Sequence, residues 1–155
     1  MSQLICNRTK QDVENAKILR ENLQNGETLT NEQIQVLERG TITINTLNRI
    51  EQKQSELEGV LNELRYMVHI PTKTDWTAGD IFTFQDHQRL LSNLDSLKQA
   101  YYTYITTPDT PTYVFDWQKA NDIEKILVDI EKMINDMILR FRECGTFECG
   151  EVNNL

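Results

Sequence analysis

The sequence predicts an all-α protein: an elongated bundle of about five helices, three of them long with heptad-like seams, joined by two proline-containing linkers. Three observations predict it. Apolar residues recur at alternating spacings of three and four along residues 47–68, 87–104 and 123–141. Capping residues, prolines and glycines punctuate those runs. Nothing alternates with period two over a useful length; "TITIN" (41–45) and "TPTYVF" (110–115) are too short to make a sheet. The 155 residues suit one helical domain. Residues 1–40 would form short N-terminal helices, 41–70 a long helix, and 71–155 a helical hairpin closed by a Gly-containing turn.

The first helix begins at the N-cap Thr9, with Asp12 three residues on, and stops at Asn25-Gly26. Val13, Ala16, Leu19 and Leu23 give it a narrow apolar face. The second carries a capping box from Thr30 to Gln33 and ends at Gly40. The third is the most regular and runs from about Thr43 to Val68. Its seam is Leu47, Ile50, Gln54, Leu57, Leu61, Leu64 and Val68. Gln54 is the one polar member. A buried amide there would fix register or helix number, and Gln54→Leu would then raise stability and broaden the set of oligomers.

Pro71 ends that helix. The loop "HIPTKTDWTAGDIFT" follows, in which Thr77-x-x-Asp80 and Thr83-x-x-Asp86 both read as helix starts. A fourth helix spans Phe84 to Ile105 on a stripe of His87, Leu90, Leu94, Leu97, Tyr101 and Tyr104. The linker "TTPDTPTYVF" cannot be helical. Asp116 then caps a fifth helix reaching Cys144. Its stripe of Ile123, Leu127, Ile130, Ile134, Met137 and Phe141 is widened by Ile126, Met133 and Ile138, so it faces more than one neighbour. Together the seams imply an antiparallel bundle. The candidate packing and interaction residues are Leu47, Ile50, Gln54, Leu57, Leu61 and Leu64, with Trp76 and Trp117.

Sixteen basic against twenty-four acidic residues give a net charge of −8, which repels phosphate backbones and argues against nucleic acid as a partner. No apolar run approaches the length of a membrane span. No secretory signal is visible at the N-terminus, so a reducing cytoplasm is the expected site of folding. Cys144 and Cys149 sit in the near-repeat "ECGTFECGE" (143–151), with Cys6 far away. C-x4-C is not a zinc spacing. A Cys144–Cys149 disulfide would close a small loop with little entropic gain. Free thiols in a terminal turn, with no metal, are the expectation.

No catalytic constellation is expected, and no cofactor. His87 on an apolar stripe reads as a hydrogen-bonded core histidine. Asp75 and Asp80, flanking Trp76, read as capping and turn residues. Asp122, Asp129 and Asp136, seven apart with Glu124 and Lys125 beside them, read as a solvated acidic face. There is no phosphate loop, GxSxG or HExxH. A hydrolase or metal enzyme built on His87 with Asp80 or Asp86 is the weakest alternative.

Several blocks resemble structural proteins of phages and prophages that infect Gram-positive gut bacteria. In "TDWTAGDIFTFQDHQRLLSNLDSLK" (74–98) the residues that carry the resemblance are Thr74, Asp75, Trp76, Thr77, Asp80, Ile81, Arg89, Leu91, Ser92, Asn93 and Leu97. "ANDIEKILVDIEKMINDM" (120–137), "NRTKQDV" (7–13) and "TLNRIE" (46–51) resemble other parts of the same group. The group's ending is similar to Ser-Gly-x-x-x-Ser-Gly-Glu, which makes the two Cys-Gly pairs a matter of turn geometry. The resemblance implies a non-enzymatic virion part, in the tail, baseplate or fibre region, made in the host bacterial cytoplasm. Its implied partners are itself, as a homo-oligomer, and other virion proteins. The alternative expectation is a small acidic phage-encoded binding protein that inhibits a host enzyme.

Overall fold

The computed structural model describes residues 4–112 and 116–144, with side chains as far as Phe141. It contains α1 (Lys10–Gln24), α2 (Asn31–Gly40), α3 (Ile44–Glu63), α4 (Phe84–Ala100) and α5 (Trp117–Cys144), and no strand among the described residues. The protein is thus all-α.

Local chemistry starts the helices where the sequence predicts. Thr9, Thr30, Thr43 and Thr83 each cap the third amide of their helix, and Asp12, Gln33, Thr46 and Asp86 cap back. Asp116 accepts from the Lys119 amide at the start of α5 (2.8 Å). Thr77-x-x-Asp80 differs. It closes a turn, Asp80 N–H to Thr77 C=O at 3.0 Å, and starts no helix. "TITIN" supplies the cap and first residues of α3, not a strand. Residues 113–115 of the second fragment lie outside the described residues.

Two helices end early. Expected to reach Val68, α3 stops at Glu63 in a Schellman turn: the Tyr66 amide bonds Leu61 C=O and the Arg65 amide bonds Asn62 C=O. Arg65 holds the left-handed position at φ 71°, the role Gly26 plays after α1 at φ 84°. Val68 remains buried, but beside the helix rather than on it. Expected to reach Ile105, α4 stops at Ala100. Thr103, Ile105, Thr106 and Thr107 are β-branched and precede Pro108, a poor helix sequence. Tyr104 turns away to donate to Asp136 (2.6 Å).

The helix directions correct the antiparallel expectation. Between α3 and α5, Arg49 meets Glu124 and Lys53 meets Glu131. Between α3 and α4, Glu51 meets Arg89 and Gln54 meets Leu90 and Asn93. Both numberings rise together, so α3, α4 and α5 run parallel. Among the described residues, α4 and α5 therefore do not pair as the antiparallel hairpin expected over 71–155. Neighbouring parallel helices need a connection that returns the full helix length, and two linkers do this. Residues 66–76 run back along α3, with Val68 against Asn62 and Trp76 against Asn48. Residues 104–110 run back between α4 and α5, from Asp136 past Asp129 to Asp95.

The core lies between the three helices and the first return. Ile50, Leu61, Leu90, Leu94, Ile123, Leu127 and Ile130 fill it, with Ile70 and Trp76 closing one side. At roughly 25 cal/mol per Å² this apolar burial is the main stabilising term. α1 and α2 form a helical hairpin in which Arg39 pairs with Asp12 (3.4 Å) and the backbones approach closely at Gly40. A Cβ on Gly40 would lie 2.0 Å from Asp12 O and 2.4 Å from Ala16 Cβ. Gly40 was expected only as a helix stop; it is the contact itself.

Candidate functional site

The polar chemistry of this protein is concentrated under its returning segments. Helix backbones satisfy their own hydrogen bonds, so an extended chain laid on a helix must find partners among side chains. Asn48 donates to Trp76 C=O (3.0 Å) and accepts from its N–H (2.8 Å). Asn62 does the same for Val68, both at 2.8 Å. Asn121 does so for Arg8 in the N-terminal segment, at 2.9 and 3.0 Å. Between Asn48 and Asn62, Glu58 accepts from the Ile70 amide (3.0 Å).

Glu51 is the centre of the arrangement. Its fully buried carboxylate accepts from the Lys73 amide (2.6 Å), from Trp76 Nε1 (2.9 Å) and from both terminal nitrogens of Arg89. It ties α3, the return and α4 together. One turn on, Gln54 is fully buried. It donates to Leu90 C=O (2.9 Å) and accepts from Asn93 (3.2 Å), which also donates to Pro71 C=O (2.7 Å). At the start of α5, Glu124 is equally buried between Arg8 (2.6 Å) and Arg49 (2.8 Å). The Nε atoms of both arginines have no partner among the described residues.

The candidate packing residues are used within the chain. Leu47, Ile50, Leu57 and Leu61 are in its core, and Leu64 is half-buried against it. Trp76 is buried, with Lys73 Nζ over its ring at 4.1 Å and Phe82 tilted against it. Trp117 is half-buried, in a cleft of about 300 Å³ lined also by Arg8, Arg20, Arg39 and Asp116. His87 is buried edge-on to Phe82. Asp80 is exposed. Hydrogen bonds from Lys73 and from the amide and hydroxyl of Thr77 hold its carboxyl at about 2.

The expected solvated acidic face is corrected. Asp129 is buried and accepts from Thr107, Asp136 accepts from Tyr104, and Glu124 is completely enclosed. The sequence shows one clue to these missed residues: Glu51 follows Ile50 and Glu124 follows Ile123, each on the shoulder of an apolar stripe. Burial, and then Glu124, push the Cys6 thiol up, which makes it a poor nucleophile at neutral pH. Cys144 and Cys149 lie outside the described side chains. Among the described residues no group of three His, Cys, Asp or Glu is placed to hold a metal, and no helix is long and apolar enough to cross a membrane.

Comparison with protein-family models, curated proteins and solved structures gives no match.

Proposed function

We propose that this chain is a non-enzymatic structural component of a phage virion, associated with the tail, baseplate or fibre. It would be an elongated bundle with heptad-like seams, working by packing against copies of itself and neighbouring virion proteins. One observation carries the reading. The residues through which the chain resembles phage structural proteins, Trp76, Arg89 and Asn93, converge on Glu51, Gln54 and Pro71 to lock the first return onto α3 and α4. Thr77 and Asp80 shape the turn just before α4. These shared positions serve mechanical rigidity, which a load-bearing part of a particle needs.

Mass spectrometry of purified virions tests the proposal. The chain should be present in fixed proportion to known tail proteins and should survive salt washing with the particle. Its absence from virions, with abundance early in infection, would refute this reading in favour of an acidic intracellular inhibitor.

A further inference from the structure

The N-terminal segment, residues 4–9, ties the α1–α2 hairpin to the bundle, and it does so almost wholly through polar groups. No residue of α1 or α2 belongs to the hydrophobic core, and of the segment only Leu4 packs against it. Among the described residues, the hydrogen bonds that reach α5 from residues 4–40 all come from Ile5 and Arg8. The Ile5 amide donates to Glu124 Oε2, the Arg8 backbone exchanges both its bonds with Asn121, and the Arg8 guanidinium meets Glu124 at 2.6 Å. On its other side the segment is bound to the hairpin, where Arg39 donates to Asn7 C=O (3.2 Å) and Thr9 caps α1. Val13 and Arg20 face Trp117 and Ala120 across the cleft of about 300 Å³, so part of the junction is open rather than close-packed.

The charge at this junction is uneven. Arg8 and Arg49 aim a terminal nitrogen at the same oxygen, Glu124 Oε1, at 2.6 and 2.8 Å, and all three side chains are buried. Two buried cations thus share one carboxylate, and the Nε of each lacks a partner among the described residues. Buried donors left unmet raise the free energy of the closed arrangement. Breaking a buried pair is costly where it leaves a charge uncompensated. Departure of Arg8 leaves none: Glu124 keeps Arg49, and the Arg8 guanidinium gains water.

We propose that residues 4–9 are a releasable strap: Arg8 leaves Glu124, and the α1–α2 hairpin swings away from α5 as one unit while α3, α4 and α5 stay assembled. The hinge is the short extended link Thr41–Thr43 between α2 and α3. Asn45 and Glu38 bond across it (2.5 Å). The contacts at Gly40 and between Arg39 and Asp12 lie within the hairpin and move with it. Opening uncovers Asn121 and Glu124 on α5. This device stands whether or not the chain is a virion part.

Hydrogen exchange on the full chain reads the opening. In wild type the amides of α1 and α2 should exchange as one unit, at least about 10-fold faster than those at the centre of α5. Cys6 lies on the strap, half-buried beside Trp117 and Asn121. In a Cys144→Ser/Cys149→Ser chain its reaction with an aromatic disulfide should be gated by the same opening. Arg8→Met should raise hairpin exchange by about another 10-fold, and Cys6 reactivity with it, leaving α5 unchanged. Arg49→Met should not, because Glu124 then has Arg8 alone and release would strand a buried carboxylate. Asn121→Ala, which leaves the three charges in place, should open the hairpin as Arg8→Met does, and it carries the test if an arginine variant fails to fold. Four results would each overturn the proposal: hairpin amides as protected as those of α5, no effect of Arg8→Met or Asn121→Ala, a rise that is equal in hairpin and α5, or Arg49→Met opening the hairpin as far as Arg8→Met.

Discussion

Replacing Glu51 by glutamine keeps shape and volume but removes the charge on which four donors converge. One oxygen remains for Trp76 Nε1 or the Lys73 amide. The new amide group instead points donors at the Arg89 guanidinium. Breaking a buried ion pair by removing one partner costs about 3–5 kcal/mol. Arg89 moderates this, because it is 20% exposed on its side chain and keeps Asp86 Oδ1 at 3.3 Å and Pro71 C=O at 3.4 Å. The low end of that range, about 3 kcal/mol, is the expectation. For a chain of this size it lowers Tm by roughly 6–12 °C.

Urea unfolding followed by circular dichroism measures the loss, and a double-mutant cycle assigns it. Arg89→Met alone strands the buried Glu51 carboxylate and Glu51→Leu alone strands the Arg89 guanidinium, whereas Glu51→Leu with Arg89→Met removes both charges. The double variant should be more stable than the sum of the single losses by more than about 1 kcal/mol. Hydrogen exchange should show the Lys73 and Trp76 amides opening in Glu51→Gln while amides at the centre of α5 stay protected. A loss below about 1 kcal/mol, or single effects that add within about 0.5 kcal/mol, would show that Glu51 does not pin the return.

Gln54→Leu, which the seam pattern alone marks as stabilising, should cost about 1–3 kcal/mol, because the amide has partners and Asn93 would lose one of its own; equilibrium unfolding decides the sign. Gly40→Ala should force α1 and α2 apart at a cost of about 1–3 kcal/mol, read as lost amide protection in the hairpin with α3–α5 unchanged. Arg65→Gly should stabilise by about 0.5–1 kcal/mol in the same measurement, since glycine accepts φ 71° without strain. The Asp80 carboxyl sits at about 2 against an ordinary 3.8, held down first by Lys73 and then by Thr77. A depressed carboxyl stabilises the fold above its unfolded value, and that contribution disappears as pH falls from 3.8 through about 2. Wild type should therefore lose Tm faster than Asp80→Asn across that window, and parallel curves would refute it.

What the sequence reveals and conceals follows from the range of the interactions. Thr30 and Gln33 are three residues apart and reveal a helix start without any tertiary contact. The same holds for Thr9 with Asp12 and Thr83 with Asp86. Helix ends were less legible. The apolar spacing continues from Leu64 to Val68 across the end of α3, because Val68 is buried from a different backbone direction. Arg65 carries none of the glycine signal that betrays Gly26. Direction was not legible at all, since a stripe has the same period in parallel and antiparallel bundles. The residues that decide direction, Asn48, Glu51, Asn62 and Glu124, look like solvated positions when read singly. His87 was legible as a core position; Glu124, read as part of an acidic surface, was the clearest miss.

The preference for asparagine under the returns has a geometric reason. Asn48 and Asn62 are fourteen residues apart on α3, about 21 Å at 1.5 Å per residue. The return from Val68 to Trp76 spans eight residues, about 26 Å if extended. It therefore lies almost straight along the helix, where Glu58 and Glu51 each reach one of its amides, at Ile70 and Lys73. Each residue it presents offers one donor and one acceptor. A carboxylate can only accept, and a lysine can only donate. Asparagine answers both groups of one residue at once, as a neighbouring strand would. Asn48, Asn62 and Asn121 thus act as single-residue strand partners set on helices. They let a chain with no sheet among its described residues fold its helices in parallel.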